Sequence, residues 1–324
     1  MFLKLFRADY SFQMILLLVS GILLWLPAFL HPLPLPQALS PIPVYEWLMA
    51  PLKNHLLLAA ILGFLLLLAE AVAFSYILTA NDLAPRNTAM ASLIFFILSS
   101  WQPATLTLHP VLFSNIFFFV FLTYFLKVYE QTDAFKEVFS AAFSLGLACV
   151  FALPSYPLFL MIWFGFFVYR VLSWREWVIS ILGFTLPLIF AMTWYFWNDG
   201  LDTFLTAFRA YFAFPALQAK LSIPGMVIWG GIAFLCLASL VKTLSVAQEK
   251  VISIRKNFIL IAWFFILSLL VLLNIKKDIS LLALIPLMPA SILISYHFTT
   301  LKKTLWWDIY FSVLLVMIFL YRIS

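Results

Sequence analysis

Few side chains in this chain can do chemistry, and nearly all of them stand in apolar surroundings. Among 324 residues there are 13 carboxylates, 19 lysines and arginines and 4 histidines. Glu70 lies inside LLLAAILGFLLLLAEAVAF (56–74), with no basic residue within a helical turn. A charge in hydrocarbon costs several kcal/mol unless it is paired or hydrated. Glu70 therefore reads as a proton site, as a polar group lining a cavity, or as a protonated carboxyl hydrogen-bonded to a neighbouring helix. A second set of acids, Glu46, Asp199, Asp202 and Asp278, falls between apolar runs on the expected outer face, with His31, His55 and His109 near the same surface. A carboxylate held near the membrane plane is the general base that glycosyl transfer from or to a lipid carrier needs. It takes the proton of the acceptor hydroxyl as the sugar leaves its phosphate. The phosphate left behind needs cations. Glu46 is thus the candidate base, with Arg209, Lys220, Lys276 and Lys277 as candidate phosphate or headgroup ligands. Taken singly these are also ordinary surface residues: a loop glutamate is solvated, and a Lys-Lys-Asp turn pins helix ends.

Other chemistries have no pattern to rest on. The histidines form no HxxxH or HxH, and His297 ends an apolar run where a headgroup contact is expected. Cys149 and Cys236 sit in apolar runs without a CxxC, as small core residues do. No phosphate-binding glycine loop, dinucleotide fingerprint or GxSxG occurs, so the sequence implies no metal and no cofactor. The net charge of +6 would suggest nucleic acid in a soluble protein. Here the basic residues separate apolar runs, so lipid headgroups are the expected partner and nucleic acid is not.

The elements that position these residues follow from composition. Hydrophobic residues make up 65% of the chain and charged residues 10%, against roughly 45–50% and about 25% in soluble proteins. A soluble fold cannot hide that much apolar surface. About 20 apolar residues cross a bilayer as a helix. Eleven runs qualify as candidates, near 11–30, 54–79, 88–101, 109–126, 139–153, 157–173, 177–197, 223–242, 257–275, 279–297 and 305–321. The third and fifth are short, which leaves nine to eleven crossings. With the N-terminus cytoplasmic, thirteen Lys/Arg fall inside and six outside, as the positive-inside rule requires. The first run has a basic start but no small-x-small cleavage site, and is expected to be a retained signal-anchor. The expectation is an all-α polytopic transmembrane bundle in the bacterial inner membrane, forming one integral membrane domain over 1–324.

Two outward segments are too long to be turns. Residues 31–53 hold six prolines, then a short apolar-aromatic stretch around Tyr45, Trp47, Leu48 and Met49. Residues 198–222 place Phe204, Phe208, Tyr211 and Phe212 on one helical face. Both are expected to carry surface helices. On the other side, the turn SWREW (173–177) offers Trp174 and Trp177 to the headgroup zone. With 36 Phe and only 9 Gly, close small-residue helix packing is expected to be sparse.

The opening MFLKLFRADYSFQMILLLVSGILLWLPAFLHP resembles the start of an uncharacterised family of multi-span inner-membrane proteins of Bacteroidetes, some of them labelled carotene monooxygenases. The chain has no four-histidine pattern for such an iron site. A looser similarity is to membrane glycosyltransferases that use polyprenyl-phosphate sugars. It rests on a first span, an outward loop with surface helices, many further spans and the basic-aromatic turn Arg170–Trp177. That family usually carries an aspartate in the first outward loop, where this chain has Glu46. The resemblance implies a polyprenyl-phosphate-linked substrate. Three readings stay open: such an enzyme, a non-catalytic subunit bound to other envelope membrane proteins, and a lipid or small-molecule transporter with Glu70 in its path.

Overall fold

The computed structural model describes residues 10–84, 88–131, 133–171, 173–212, 223–274, 279–300 and 305–323. Over these the chain is a bundle of α-helices, and an isolated bridge between Leu39 and Ala152 is the one β pairing among the described residues. The first half contains α1 (Tyr10–Leu30), α2 (Val44–Met49), α3 (Leu56–Ala80), α4 (Met90–Ser99), α5 (Pro110–Leu126), α6 (Phe135–Phe151) and α7 (Leu160–Tyr169). The second half contains α8 (Trp174–Trp197), α9 (Leu201–Phe212), α10 (Ile223–Ala247), α11 (Ile252–Val271), α12 (Ile279–Leu282), α13 (Leu284–Thr300) and α14 (Leu305–Ile323). Each of the eleven apolar runs carries a helix, and α2 and α9 fall in the two long connecting segments. Six helices, α1, α3, α5, α8, α10 and α11, are long and apolar enough to cross a membrane.

The shorter helices sit where the bundle needs them. All ten residues of α4 are buried, as are those of α13 from Leu284 to Phe298, and these two helices pack on each other. A helix that is apolar all round belongs in the interior. The longer helices enclose this pair: α1 and α3 cover α4, while α10 and α11 cover α13. At about 1.5 Å per residue α4 is only about 15 Å long, half the hydrocarbon thickness. The chain after it, 100–109, therefore returns through protein. Some of its polar groups are satisfied there: Trp25 donates to Ser100 Oγ at 3.0 Å, and Thr105 Oγ1 donates to the Ser99 carbonyl at 2.8 Å, while Trp101 Nε1 and Thr107 Oγ1 are buried without a hydrogen-bond partner. Irregular backbone at this depth is tolerated only when protein surrounds it. Gly63 of α3 lets the Thr107–Leu108 backbone lie against the helix, where a Cβ would come within 2.9 Å of it.

The most extensive helix contact joins α6 and α8, which run parallel. Gly146 faces Phe184 and Pro187, and Gly183 faces Phe139 and Ala142. Small-residue packing is scarce in composition but concentrated at this seam, where Ala142 is also buried. The scarcity expected from the glycine count therefore does not hold locally.

The two ends of the bundle differ in charge. One end collects the connections 31–55, 100–109, 152–159 and 198–200, joined by the contacts described below. At the other end Tyr169 donates to Asn257 Oδ1 at 2.7 Å, and Lys256 Nζ lies 4.3 Å from the centre of the Tyr129 ring. Connectivity puts Lys127, Lys136, Arg170, Arg175, Lys242, Lys250, Arg255 and Lys256 toward that basic end, against Lys53, Arg209 and Arg322 at the loop end among the described residues. The two tryptophans of SWREW part company. Trp174 is exposed, as an interface anchor is, while Trp177 turns inward onto Trp163 and Phe166 at 5.5 Å each.

Candidate functional site

At the loop end, residues 31–55 are fastened across the bundle. Proline keeps the first part extended, and the Leu39 carbonyl accepts from Leu153 N–H at 3.2 Å, beside the Leu39–Ala152 bridge. The chain then forms α2, whose Tyr45 and Met49 are buried. The Tyr45 hydroxyl donates to the Leu108 carbonyl at 3.0 Å and to the Pro36 carbonyl at 3.3 Å, and burial pushes its phenol well above the usual range. From α8, the Tyr195 hydroxyl donates to the Pro41 carbonyl at 2.6 Å, and Trp194 meets Trp47 edge-on with centroids 4.8 Å apart. Glu46 is exposed on this clamped helix, and its charge acts on Tyr195. Below α2, between α6 and α8, lies an apolar slot of about 270 Å³ lined by Val44, Trp47, Phe143, Leu147, Pro187 and Phe190. Glu46 does not line the slot, but the helix that carries it forms the slot's upper wall.

The second surface helix docks as the aromatic spacing predicts for its first residues. Phe204 is buried against Tyr195 at 4.9 Å and Phe208 at 5.6 Å. Phe208 also borders a second apolar cavity, of about 490 Å³, with Tyr156, Leu188 and Leu270. The side chains of Tyr211 and Phe212 lie outside the described residues. Arg209 is exposed on α9. Lys220, Lys276, Lys277 and Asp278 also lie outside the described residues, so Glu46 and Arg209 are the members of the expected outer site whose positions are known. His31 and His55 are exposed, whereas His109 is buried and caps α5, its Nδ1 accepting from Leu112 N–H at 3.3 Å. Among the described residues no three His, Cys, Asp or Glu side chains converge to hold a metal.

Within the bundle, Glu70 of α3 is 3% exposed and meets Asn115 of α5, which is 1% exposed. Asn115 Nδ2 donates to Glu70 Oε2 at 3.2 Å. Glu70 Oε1 and Asn115 Oδ1 are buried without a hydrogen-bond partner. Glu70 stands at the wall of a groove of about 500 Å³ between α3 and α5 that runs to Lys127. Glu70 was legible in the sequence as a carboxylate in an apolar run. Asn115 was missed, although it is the only amide in the run 110–126. His297 is not at a headgroup position: it is 2% exposed, its Nδ1 is 2.9 Å from Ser239 Oγ, and Trp307 packs across its ring.

Fold and sites together define an α-helical bundle of membrane type, with an aromatic-clamped loop at one end and a buried polar pair between two of its helices. No protein-family model, curated protein or solved structure matches the chain.

Proposed function

We propose that this is a polytopic protein of the bacterial inner membrane, N-terminus cytoplasmic, that recognises a lipid-linked saccharide at its outward rim, with Glu46 as the general base of a glycosyl transfer. The observation that supports this reading is the pairing of a fixed, exposed carboxylate with an apolar slot under the same helix. A lipid-linked substrate needs both: a place for its chain beside the hydrocarbon and a proton acceptor at the interface. Four contacts, through Leu39, Pro41, Tyr45 and Trp47, hold α2 against the bundle. Pre-set geometry of this kind is what general-base catalysis uses. Arg209, Lys220, Lys276 and Lys277 are assigned to the phosphate in this reading. The higher share of basic residues at the opposite end supports the orientation.

The test is transfer from a radiolabelled polyprenyl-phosphate sugar by the protein in proteoliposomes, with Glu46→Gln beside it. General-base contributions are about 10²–10⁴-fold, so the variant's rate should fall by at least about 10² while its expression and detergent profile stay unchanged. An unchanged rate overturns the assignment of Glu46.

One observation favours a second reading, a non-catalytic subunit of an envelope complex. Only 17% of the apolar window of α8 is buried, and its exposed face carries Leu182, Ile189, Phe196 and Trp197. A photoreactive residue at Ile189 that captures one fixed protein partner in cells supports that reading. Capture of lipid alone overturns it.

A further inference from the structure

At the basic end of the bundle we infer a binding site, independent of the Glu46 reading, for the phosphate of an anionic membrane lipid. Arg170, Arg255 and Lys256 are its ligands, and the outer face of α11 is the track for its tail. Three segments bring the cations together. Lys256 Nζ lies 4.3 Å from the centre of the Tyr129 ring, a cation–π contact that holds the ammonium in place. Tyr129 leans on Tyr169 with centroids 5.4 Å apart, and Tyr169 donates in turn to Asn257, the residue after Lys256. The chain after α5, the end of α7 and the start of α11 are thereby closed into one cluster. Arg170 follows Tyr169 and ends α7 in the left-handed region (φ 63°), where glycine is the ordinary residue. The charges of Arg170 and Arg255 both act on Lys256, and no carboxylate of the described residues is among the charges that do.

Such a grouping is unfavourable by itself. Like charges repel more strongly in a partly desolvated place than in water. The helix adds to this. Arg255 and Lys256 follow closely on Val251, the N-cap of α11, which makes no side-chain cap, and the first turn holds no acid. The positive end of a helix disfavours cations and attracts anions. Arg170, at the end of α7, has that helix's negative end as a partner; the pair on α11 has none. A phosphate among the three groups turns each repulsion into attraction.

The place of the cluster selects a lipid over a dissolved ion. Lys256 is half-buried and, at about 1.5 Å per residue, about 6 Å inside the start of α11. It heads the stripe Lys256, Ile259, Trp263, Ile266 and Leu270, whose spacing of three or four residues puts them on one helical face. Ile266 and Leu270 are exposed, and Trp263 stacks on Phe164 of α7 at 4.3 Å. A tail therefore has an apolar track of about 20 Å leading from the cations. Basic pockets between spans are where anionic headgroups bind.

The experiment uses the full-length protein in phosphatidylcholine nanodiscs doped with a diazirine-tailed phosphatidylglycerol, and the same tail on phosphatidylcholine as the neutral probe. Light should attach the anionic probe to the peptides holding residues 159–170 and 256–270, and the neutral probe about tenfold less. Arg170→Gln combined with Lys256→Gln should cut the anionic labelling there by about tenfold or more. Lys136→Gln combined with Lys242→Gln removes as much charge from the same end, from residues that are not among those acting on Lys256, and should leave the labelling unchanged. Comparison of the two probes needs only the unaltered protein, so it stays decisive if the first double variant fails to fold. Excess inorganic phosphate should not displace the lipid probe; displacement assigns the site to free phosphate and overturns the lipid assignment. Equal labelling by the two probes, unchanged labelling in the Arg170→Gln, Lys256→Gln protein, or equal loss in the two double variants each overturns the inference.

Discussion

Gly146→Ala tests the seam on which the loop-end slot is built. A Cβ at this position would come closer to the Phe184 carbonyl oxygen than any real Cβ does, and 2.9 Å from Pro187 Cγ. To restore a carbon–oxygen contact of about 3.3 Å, α6 and α8 must separate locally by about 1 Å. A gap of that size forfeits a quarter to a half of the dispersion attraction of the atoms facing it. Overpacking costs about 1–3 kcal/mol, and the upper part of that range applies because the obstacle is backbone rather than a side chain that can rotate. The intrinsic helix preference for Ala over Gly returns about 1 kcal/mol, leaving a net loss of about 1–2 kcal/mol. Gly230 supplies the control. Nothing lies within 4 Å of a Cβ built there, so Gly230→Ala should stabilise by about 0.5–1 kcal/mol. The assay is reversible unfolding in mixed micelles of rising SDS fraction, followed by tryptophan fluorescence. Gly146→Ala should lower the folded-to-unfolded ratio about 5- to 30-fold, with Gly230→Ala moving the opposite way. Because Pro187 also lines the slot, Gly146→Ala should weaken binding of a lipid-linked ligand as well. If the two alanine variants unfold alike, close glycine packing is not what joins α6 to α8.

Tyr45→Phe removes the donor to a buried carbonyl and should loosen the clamped loop by about 1–3 kcal/mol. Amide exchange over 36–53 should then quicken while α4 and α13 stay protected, and unaltered exchange in that loop refutes the clamp. Cys149 and Cys236 are both buried, so a membrane-permeant maleimide should spare the folded protein and label both sites after SDS denaturation; rapid labelling of the folded form contradicts their placement. In a background lacking these cysteines, Lys53→Cys should react with an impermeant maleimide on cells whose outer membrane has been opened, and Lys136→Cys or Lys250→Cys should not. The reverse pattern overturns the proposed orientation.

Composition and run length by themselves determined the helical class and the place of the helices. A bilayer leaves a chain of this hydropathy no other regular way to satisfy its backbone. The two surface helices were legible for similar reasons: proline marks where the chain cannot be helical, and the spacing of Phe204 and Phe208 marks the face that docks. The carboxylates Glu46 and Glu70 were visible as outliers against apolar neighbours. What each one faces was not visible. Asn115 lies 45 residues from Glu70, and no local pattern announces a contact between side chains on different helices. Nor could glycine counting reveal that Gly146 and Gly183 meet across one seam, because close packing depends on which faces oppose each other. His297 illustrates the same limit: its position at the end of an apolar run suggested headgroups, while the packing of α10, α13 and α14 encloses it. Hydrophobicity is a property of each residue and sums along the chain, so the sequence determined where this protein is apolar. Partnership between polar groups depends on the arrangement of helices in space, so only the tertiary structure decided which carboxylate is clamped at a rim and which is buried beside an amide.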